Sequence, residues 1–311
     1  MIFVILYTLL LLFTDRDAAR VMCMQALKQW YETMIPALFP MMLLSSILVD
    51  TGFAAKIGHL LNTTLLRFLK VSDNGCYCLL TGFLFGFPMG AKTTADMHLK
   101  HNLSKKEAEY LLTFINSIGP MYTINFTYRC FPNLNLWKIL IGIYGLSLLY
   151  GVCTRYTLYR GCNFRASSHT NTIKATPATS DTGITTHTCT LGLSLPDALY
   201  ESVPKCGRSI LMLGGYMVLF QLFFVTLGHF LKSINLQTHL LYPLLEITGG
   251  LNLLPADTEL PPVLFYTNLG GACCILQTYS FLKPAELSVR KYVIHKCILA
   301  VVSYIIGRLI V

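Results

Sequence analysis

Charged side chains are scarce in this chain of 311 residues. Asp, Glu, Lys and Arg make up 13% of it and hydrophobic residues 54%, whereas an ordinary soluble domain carries about 25% charged residues. Because a soluble domain cannot bury so much apolar surface, the composition argues against a soluble enzyme, a disordered chain, a collagen or a coiled coil. The apolar runs are long rather than alternating, which disfavours a β-barrel and predicts a polytopic helical membrane protein.

The sequence signatures of common catalytic and metal sites are absent. There is no HExxH, GxSxG, GxGxxG or CxxC motif, so the sequence predicts a protein that is not an enzyme and has neither cofactor nor metal. The eleven Cys are interpreted as small apolar side chains. The net charge of +9 predicts basic loops on the cytoplasmic side of a bilayer rather than a nucleic-acid partner.

A Thr-rich segment divides the chain into two halves. Residues 1–154 are predicted to form a first membrane repeat with an extra N-terminal helix, and residues 198–311 a second, inverted repeat. Between them, residues 155–197 are predicted to be a flexible cytoplasmic linker, because residues 163–190 hold nine Thr and three Ser without an apolar period. The apolar run Met1–Phe13 is short, and its interpretation as a span or as an interfacial helix stays open.

The two halves share a short pattern. Residues 112–119 and 264–271 both read Leu-x-aromatic-x-Asn-x-x-Gly, and each follows an apolar segment broken by glycine, residues 76–97 and 240–254. The basic residues of the linker and of three further segments fit one cytoplasmic face. Those segments are residues 54–70, 98–106 and 283–296. The fold class predicted is therefore all-α and polytopic, an inverted-topology repeat with two re-entrant broken hairpins and two interrupted transmembrane helices.

The segment from Gly86 to Lys92 is the sharpest candidate for a substrate site. Gly86, Pro88 and Gly90 open the helix and free backbone N–H groups, and Lys92 adds a positive charge. This combination predicts a clamp for a carboxylate or phosphate. Two other interpretations stay open: the glycines permit close helix packing, and Lys92 extends to the cytoplasmic surface.

Polar and helix-breaking residues at the other predicted breaks complete the candidate substrate site. They are Asn116, Gly119, Pro120, Glu246, Gly249, Asn268, Gly270, Gly271 and Gln277. A carboxylate at membrane depth is costly and usually functional, so Glu246 is predicted to bind a proton or cation, to pair with Lys92, or to lie in water at the outer interface. The two Asn offer donors and acceptors to a ligand or cap half-helices. Asp96 and His98 are predicted either to line the first hairpin or only to end it.

Several of these segments occur together in a known family. The residues from Trp30 to Pro40, Gly86-Phe-Pro-Met-Gly-Ala-Lys92, Asn116 to Pro120, Glu246-Ile-Thr-Gly249, and Gly270-Gly271 through Gln277 follow in the same order. In this respect the chain resembles the sporulation integral membrane protein YlbJ family, within the wider nucleoside-recognition or Gate superfamily.

The resemblance implies a multi-pass transporter of a small anionic metabolite in a bacterial cell membrane. By resemblance the substrate is dipicolinic acid, moved into the forespore during sporulation across the outer forespore membrane. The lipid bilayer is the other expected partner, and a nucleic-acid partner is not expected. Whether a coupling ion takes part and whether the chain forms a homo-oligomer stay open. Two alternatives stay open as well: a transporter of nucleosides or other neutral metabolites, and a non-transport membrane assembly factor in spore maturation.

Overall fold

The structure, a computed structural model, describes residues 16–64, 67–162, 164, 193–233 and 240–310, and within these ranges all regular structure is helical. The first half holds α1 (Arg16–Gln29), α2 (Ile35–Asp50), α3 (Phe53–Thr64), α4 (Asp73–Phe85), α5 (Met89–Leu99), α6 (Lys105–Leu112), α7 (Pro120–Tyr122), α8 (Tyr128–Cys130), α9 (Leu136–Leu140) and α10 (Leu146–Tyr156). The second half holds α11 (Leu195–Ser233), α12 (Tyr242–Leu245), α13 (Ile247–Asn252), α14 (Leu260–Leu269), α15 (Gly271–Leu282) and α16 (Val289–Ile310). One-turn π-helical segments join α1 to α2, α7 to α8 and α9 to α10.

Four helical stretches in the described ranges are long and apolar enough to cross a membrane. They are Ala19–Asp50, Leu136–Tyr156, Leu195–Phe223 and Val289–Ile310. A bilayer core about 30 Å thick needs about 20 mainly apolar residues. The prediction of an all-α membrane protein is therefore confirmed, while the opposite orientation of the two halves stays a prediction.

The first of these stretches is longer than expected. The sequence predicts a span near residues 34–49, kinked at Pro36 and Pro40, after a separate amphipathic turn. Instead, helical structure continues from Arg16 to Asp50 through the π-helical turn Trp30–Met34. Pro36 comes two residues after the π-helical turn, and such local π adjustments let a helix inside a membrane accommodate the N–H that proline lacks.

The order of elements in one half corresponds to the order in the other. Each half has a long apolar helix, followed in the first half by α3, and then a helix pair broken at its centre, α4–α5 or α12–α13. Next comes an interrupted helix, α6–α7 or α14–α15, and then a last long helix, α9–α10 or α16. Three of the four breaks fall where the sequence predicts them, at Gly86–Pro88, Gly119 and Gly270. The second hairpin instead breaks at Glu246, and the Gly249-Gly250 pair predicted to break it lies inside α13.

The long helix of the second half packs along the long helix of the first. The Trp30 indole Nε1 donates a hydrogen bond to the carbonyl of Ile210 at 2.9 Å. Gly214 of α11 makes this contact possible, because a Cβ at that position would lie 2.7 Å from the indole ring. The two halves are thus held together by close helix packing, as small residues permit inside membranes.

Two predicted segments fall largely outside the described residues. Met1–Phe13 lies outside them, and so does most of the linker, residues 163 and 165–192. Its described first part is packed: the Phe164 ring stacks on Tyr110 at 5.5 Å and is 2% exposed. At the other end, α11 already begins at Leu195, within the residues assigned to the linker.

Glu107, near the start of α6 and outside the four apolar stretches, makes stability depend on pH. Its Oε1 accepts a hydrogen bond from the Ser72 backbone N–H at 2.6 Å, but burial raises the pKa of this carboxyl to about 7 from its usual 4.5. Between pH 4.5 and 7 the folded protein therefore holds a proton that the unfolded chain releases. Stability is expected to fall as pH rises through this window, by about 3 kcal/mol in all.

Glu107→Gln removes this dependence, because an amide cannot ionise. Thermal melts in detergent from pH 4.5 to 8 are expected to show a decline for the wild type that is flatter for Glu107→Gln. Asp257 is exposed, so Asp257→Asn is the matched control and is expected to follow the wild type. Equal slopes for all three proteins would contradict an ionisation penalty at Glu107.

Candidate functional site

The break between α4 and α5 rests directly on the interruption between α6 and α7. Gly86 has a φ of +72°, and a Cβ there would lie 2.1 Å from the backbone nitrogen of Gly119. Beside it, the Phe87 N–H donates to the Ser117 carbonyl at 2.8 Å. The first hairpin break and the first helix interruption are therefore one packed unit in which only glycine fits at residue 86.

Asn116 ties this unit together and reaches the second half. Its Oδ1 accepts a hydrogen bond from the Ala91 N–H, in the first turn of α5, at 3.3 Å. Its Nδ2 donates to Thr278 Oγ1 at 2.9 Å and to the Tyr292 hydroxyl at 3.0 Å. The side chain is buried, with 1% exposed. In this conformation Asn116 caps a half-helix, one of the two roles that the sequence left open.

Gly90 and Pro88 shape the same site. A Cβ on Gly90 would lie 3.0 Å from the Cα of Gly82 and 3.1 Å from the Ile115 carbonyl oxygen, so Gly90 permits the close packing of α4, α5 and the first interruption. Pro88 immediately precedes α5, and its carbonyl accepts the N–H of Lys92 at 3.0 Å. The glycine-packing interpretation thus applies to Gly90, whereas Pro88 starts the second half of the hairpin.

In the second half, as in the first, the hairpin break lies against the helix interruption. Glu246 is the extended residue between α12 and α13, is 7% exposed, and its Oε2 accepts the Gly249 N–H at 2.6 Å. Gly271 has a φ of +74°. A Cβ at Gly271 would lie 3.2 Å from the Leu245 carbonyl oxygen. The second hairpin break therefore packs on the second helix interruption, as in the first half.

Asn268 mirrors Asn116 across the two halves. Its Nδ2 donates to the carbonyls of Leu264 at 3.1 Å and Gly142 at 3.4 Å, and its Oδ1 accepts from Ser147 at 3.4 Å. Asn116 thus contacts the last long helix of the second half, and Asn268 contacts the last long helix of the first half.

Gln277 makes its hydrogen bond within α15. Its side-chain Nε2 donates to the sulfur of Cys273, one helical turn earlier, at 3.3 Å.

Gly270 joins the two break units. It has a φ of +82°, and a Cβ there would lie 2.5 Å from the ring of Phe87. Phe87 belongs to the first hairpin break, so the interruption of one half packs on the break of the other. The structure therefore brings together three of the four predicted breaks around Phe87, Asn116 and Gly270.

Lys296 is a member of this site that sequence reasoning missed, since it was counted among the basic residues of the loop 283–296. It lies in α16 and is 1% exposed. Its Nζ donates to the Asn116 carbonyl at 2.8 Å and lies 4.6 Å from the centre of the Phe87 ring. One signal was available: Lys296 and Tyr292 are four residues apart, on one face of a helix.

Lys92 is neither extended to the surface nor paired with Glu246. It is 2% exposed, and its Nζ forms an ion pair with Asp96 Oδ2 at 2.8 Å. The other oxygen of Asp96 pairs with Lys205 of α11 at 3.0 Å. The carboxylate of Asp96 therefore joins a buried cation of the first half to a cation of the second, a role that neither interpretation of Asp96 from the sequence included.

A cavity adjoins this ion pair between α11 and α15. Its volume is about 380 Å³, and its lining residues are Pro204, Lys205, Arg208, Ser209, Met212, Ser280 and Phe281. Arg208 is exposed, and no carboxylate within the described ranges lies at ion-pair distance from it. Lys205 shares the carboxylate of Asp96 with Lys92, so the two cations that line the cavity, Lys205 and Arg208, are not fully neutralised. This excess of positive charge suits the cavity to an anion.

No cluster of His, Cys, Asp and Glu in the described ranges fits a metal ion.

One curated protein shows a clear similarity in sequence. The sporulation integral membrane protein YlbJ of Bacillus subtilis (strain 168) is 29% identical to the chain over 202 residues. The predicted resemblance to the YlbJ family is confirmed. The match covers 63% of this chain and 48% of YlbJ, so the chain spans about half the length of its curated relative.

No family model matches the chain, and no solved structure matches it. The wider superfamily assignment therefore stays a prediction. Similarity to an integral membrane protein and the apolar helices support a membrane location for this chain.

Proposed function

We propose that this chain is a multi-pass membrane transporter of a small anionic metabolite. The observation that carries the proposal is the packing of helix breaks from both halves around Phe87, Asn116 and Gly270. Irregular backbone at membrane depth is tolerated only where it is buried in protein or lines a wet cavity. In secondary transporters such breaks meet near the bilayer midplane and form the substrate site.

The charges favour an anion as the substrate. Lys205 and Arg208 line a cavity of about 380 Å³, within the range of pockets that bind small ligands. An Arg side chain binds a carboxylate through two parallel hydrogen bonds. Dipicolinate, a small planar dicarboxylate, fits these features, and similarity to a sporulation protein supports transport into the forespore across its outer membrane.

In this proposal the cavity receives the anion, and the broken segments form the deeper substrate site. That site comprises the residues Gly86, Pro88, Gly90, Lys92, Asn116, Gly119, Pro120, Glu246, Gly249, Asn268, Gly270, Gly271 and Gln277. Both Asn amides already make hydrogen bonds within the protein. The conformation described is therefore a closed one, and substrate passage requires the breaks to separate.

The proposal predicts that Arg208 binds the transported anion. Radiolabelled dipicolinate uptake into proteoliposomes is expected in the wild type and to fall about tenfold or more in Arg208→Gln, because a charged hydrogen bond contributes about 1.5–3 kcal/mol. Arg290 is exposed near the start of α16 and outside the cavity lining. Arg290→Gln is therefore the matched control and is expected to leave uptake unchanged.

Two results would contradict parts of this proposal. Equal uptake by Arg208→Gln and the wild type would move the anion site away from the cavity. No uptake by correctly folded wild type, with or without an ion gradient, would favour a neutral metabolite such as a nucleoside, or the assembly role in spore maturation. Repeating the assay with a labelled nucleoside separates those two alternatives.

A further inference from the structure

Lys296 lies well inside a membrane-crossing helix. It is seven residues beyond Val289, the first residue of α16, which places it about 10 Å along the helix axis. A lysine near a helix end normally extends its ammonium group to the membrane surface. Lys296 does not, because it is 1% exposed and its Nζ is bound in the protein interior.

The atom that binds the Lys296 Nζ is a backbone carbonyl without a helical partner. In an uninterrupted helix, the carbonyl of residue 116 accepts the N–H of residue 120, but residue 120 is proline and has no N–H. The Nζ of Lys296 lies 2.8 Å from this carbonyl oxygen and satisfies it. A buried carbonyl left without a donor would be costly.

The remaining contacts also suit a cation. The face of the Phe87 ring lies 4.6 Å from the Nζ, a geometry in which the aromatic ring attracts a positive charge. Among the described residues no carboxylate lies within ion-pair distance of Lys296. The site is thus built from a carbonyl at a helix interruption and an aromatic face, without an acidic partner.

We propose that these groups form a monovalent-cation site that the protein fills with its own ammonium group, on Lys296. In secondary transporters, carbonyls of unwound helices coordinate the coupling cation. Here the attached ammonium takes that position, so neither Na⁺ nor K⁺ is needed there. The consequence for transport rests on the proposed function, whereas the occupancy of the site does not.

The first test uses the wild-type protein in detergent. Its melting temperature is measured in NaCl, KCl and choline chloride at equal ionic strength. The three values are expected to agree within about 1 °C, because a filled site gives Na⁺ and K⁺ no binding energy. A rise of several degrees with Na⁺ or K⁺ relative to choline would overturn the proposal.

The second test empties the site. Lys296→Ala is expected to lower the melting temperature by about 3 °C or more, since it leaves the Asn116 carbonyl without a donor. Ethylammonium at millimolar concentration is expected to restore part of this loss. Lys296→Met fills the same space without a charge and is the matched control, expected to show no response to ethylammonium. Equal responses of both variants would overturn the proposal.

The failure of this inference can be told apart from failure of the proposed function. The melting experiments need no substrate and decide the site even if dipicolinate is not transported or if Lys296→Ala does not fold. Where wild-type uptake is observed, it is expected to persist with choline as the only added cation. Uptake that requires Na⁺ or K⁺ would uphold the transporter and overturn the attached-cation site.

Discussion

Gly86→Ala is expected to be among the most damaging single substitutions in this chain. Two costs combine at this residue: its φ of +72° disfavours any residue with a Cβ, and the new methyl group would lie 2.1 Å from the Gly119 backbone nitrogen. Because backbone rather than a flexible side chain is the obstacle, the two breaks must move apart. We expect a loss of about 3 kcal/mol or more, measured as folded yield and melting temperature in detergent.

Gly207→Ala provides the matched control in α11. A Cβ at Gly207 would meet nothing within 4 Å, and alanine favours a helix over glycine by about 0.8–1 kcal/mol. Its melting temperature is therefore expected to equal or slightly exceed that of the wild type. If Gly86→Ala were tolerated as well as Gly207→Ala, the first hairpin break would not pack against the first helix interruption.

The positions of three of the four helix breaks were predictable from sequence because their causes are local, whereas the second hairpin breaks at Glu246 and not at Gly249-Gly250. Glycine and proline change the backbone at their own positions, so Gly86, Gly119 and Gly270 marked breaks without any knowledge of tertiary contacts. The shared Asn-x-x-Gly pattern likewise pointed to the two interruptions. The composition alone was sufficient for the all-α membrane class.

The partners of the buried charges were not predictable in the same way. Lys92 has Asp96 four residues later, a spacing that places both on one helix face, but the pairing predicted for Lys92, as one alternative, was with Glu246, and Asp96 was given no cation partner. Lys205 reaches the same carboxylate from a helix 109 residues away in sequence. Similarly, the hydrogen bond from Lys296 to Asn116 joins residues 180 apart. Such contacts depend on how the two halves pack against each other, which the spacing of apolar residues along the sequence does not predict.

The length of the first helix was also misjudged for a physical reason. The sequence predicts kinks at Pro36 and Pro40, but helical structure continues through both residues, and the π-helical turn directly before α2 accommodates the N–H that Pro36 lacks. The π-helical turn at Trp30–Met34 keeps the chain helical before α2. The start of the span was therefore set about fifteen residues too late.

Asp96→Asn is expected to destabilise the protein by about 3–5 kcal/mol, because removing one partner of a buried ion pair leaves the other charge unpaired. Lys92 is the charge left behind, with a side chain 3% exposed. Lys92→Met is expected to cost less, since Asp96 then keeps Lys205 as its partner at 3.0 Å. Melting temperatures of the two single variants in detergent measure this asymmetry.

The double variant Lys92→Met/Asp96→Asn separates a buried-charge penalty from a general loss of packing. If the penalty of Asp96→Asn comes from the unpaired Lys92 ammonium, removing that ammonium as well should recover part of the lost stability, so the double variant is expected to melt above Asp96→Asn alone. Additive losses would instead mean that Lys92 and Asp96 act independently. Lys205 is unpaired in both Asp96 variants, so its contribution cancels in this comparison. The recovery therefore reports the pairing of Lys92 with Asp96 and nothing else in the network that joins α5 to α11.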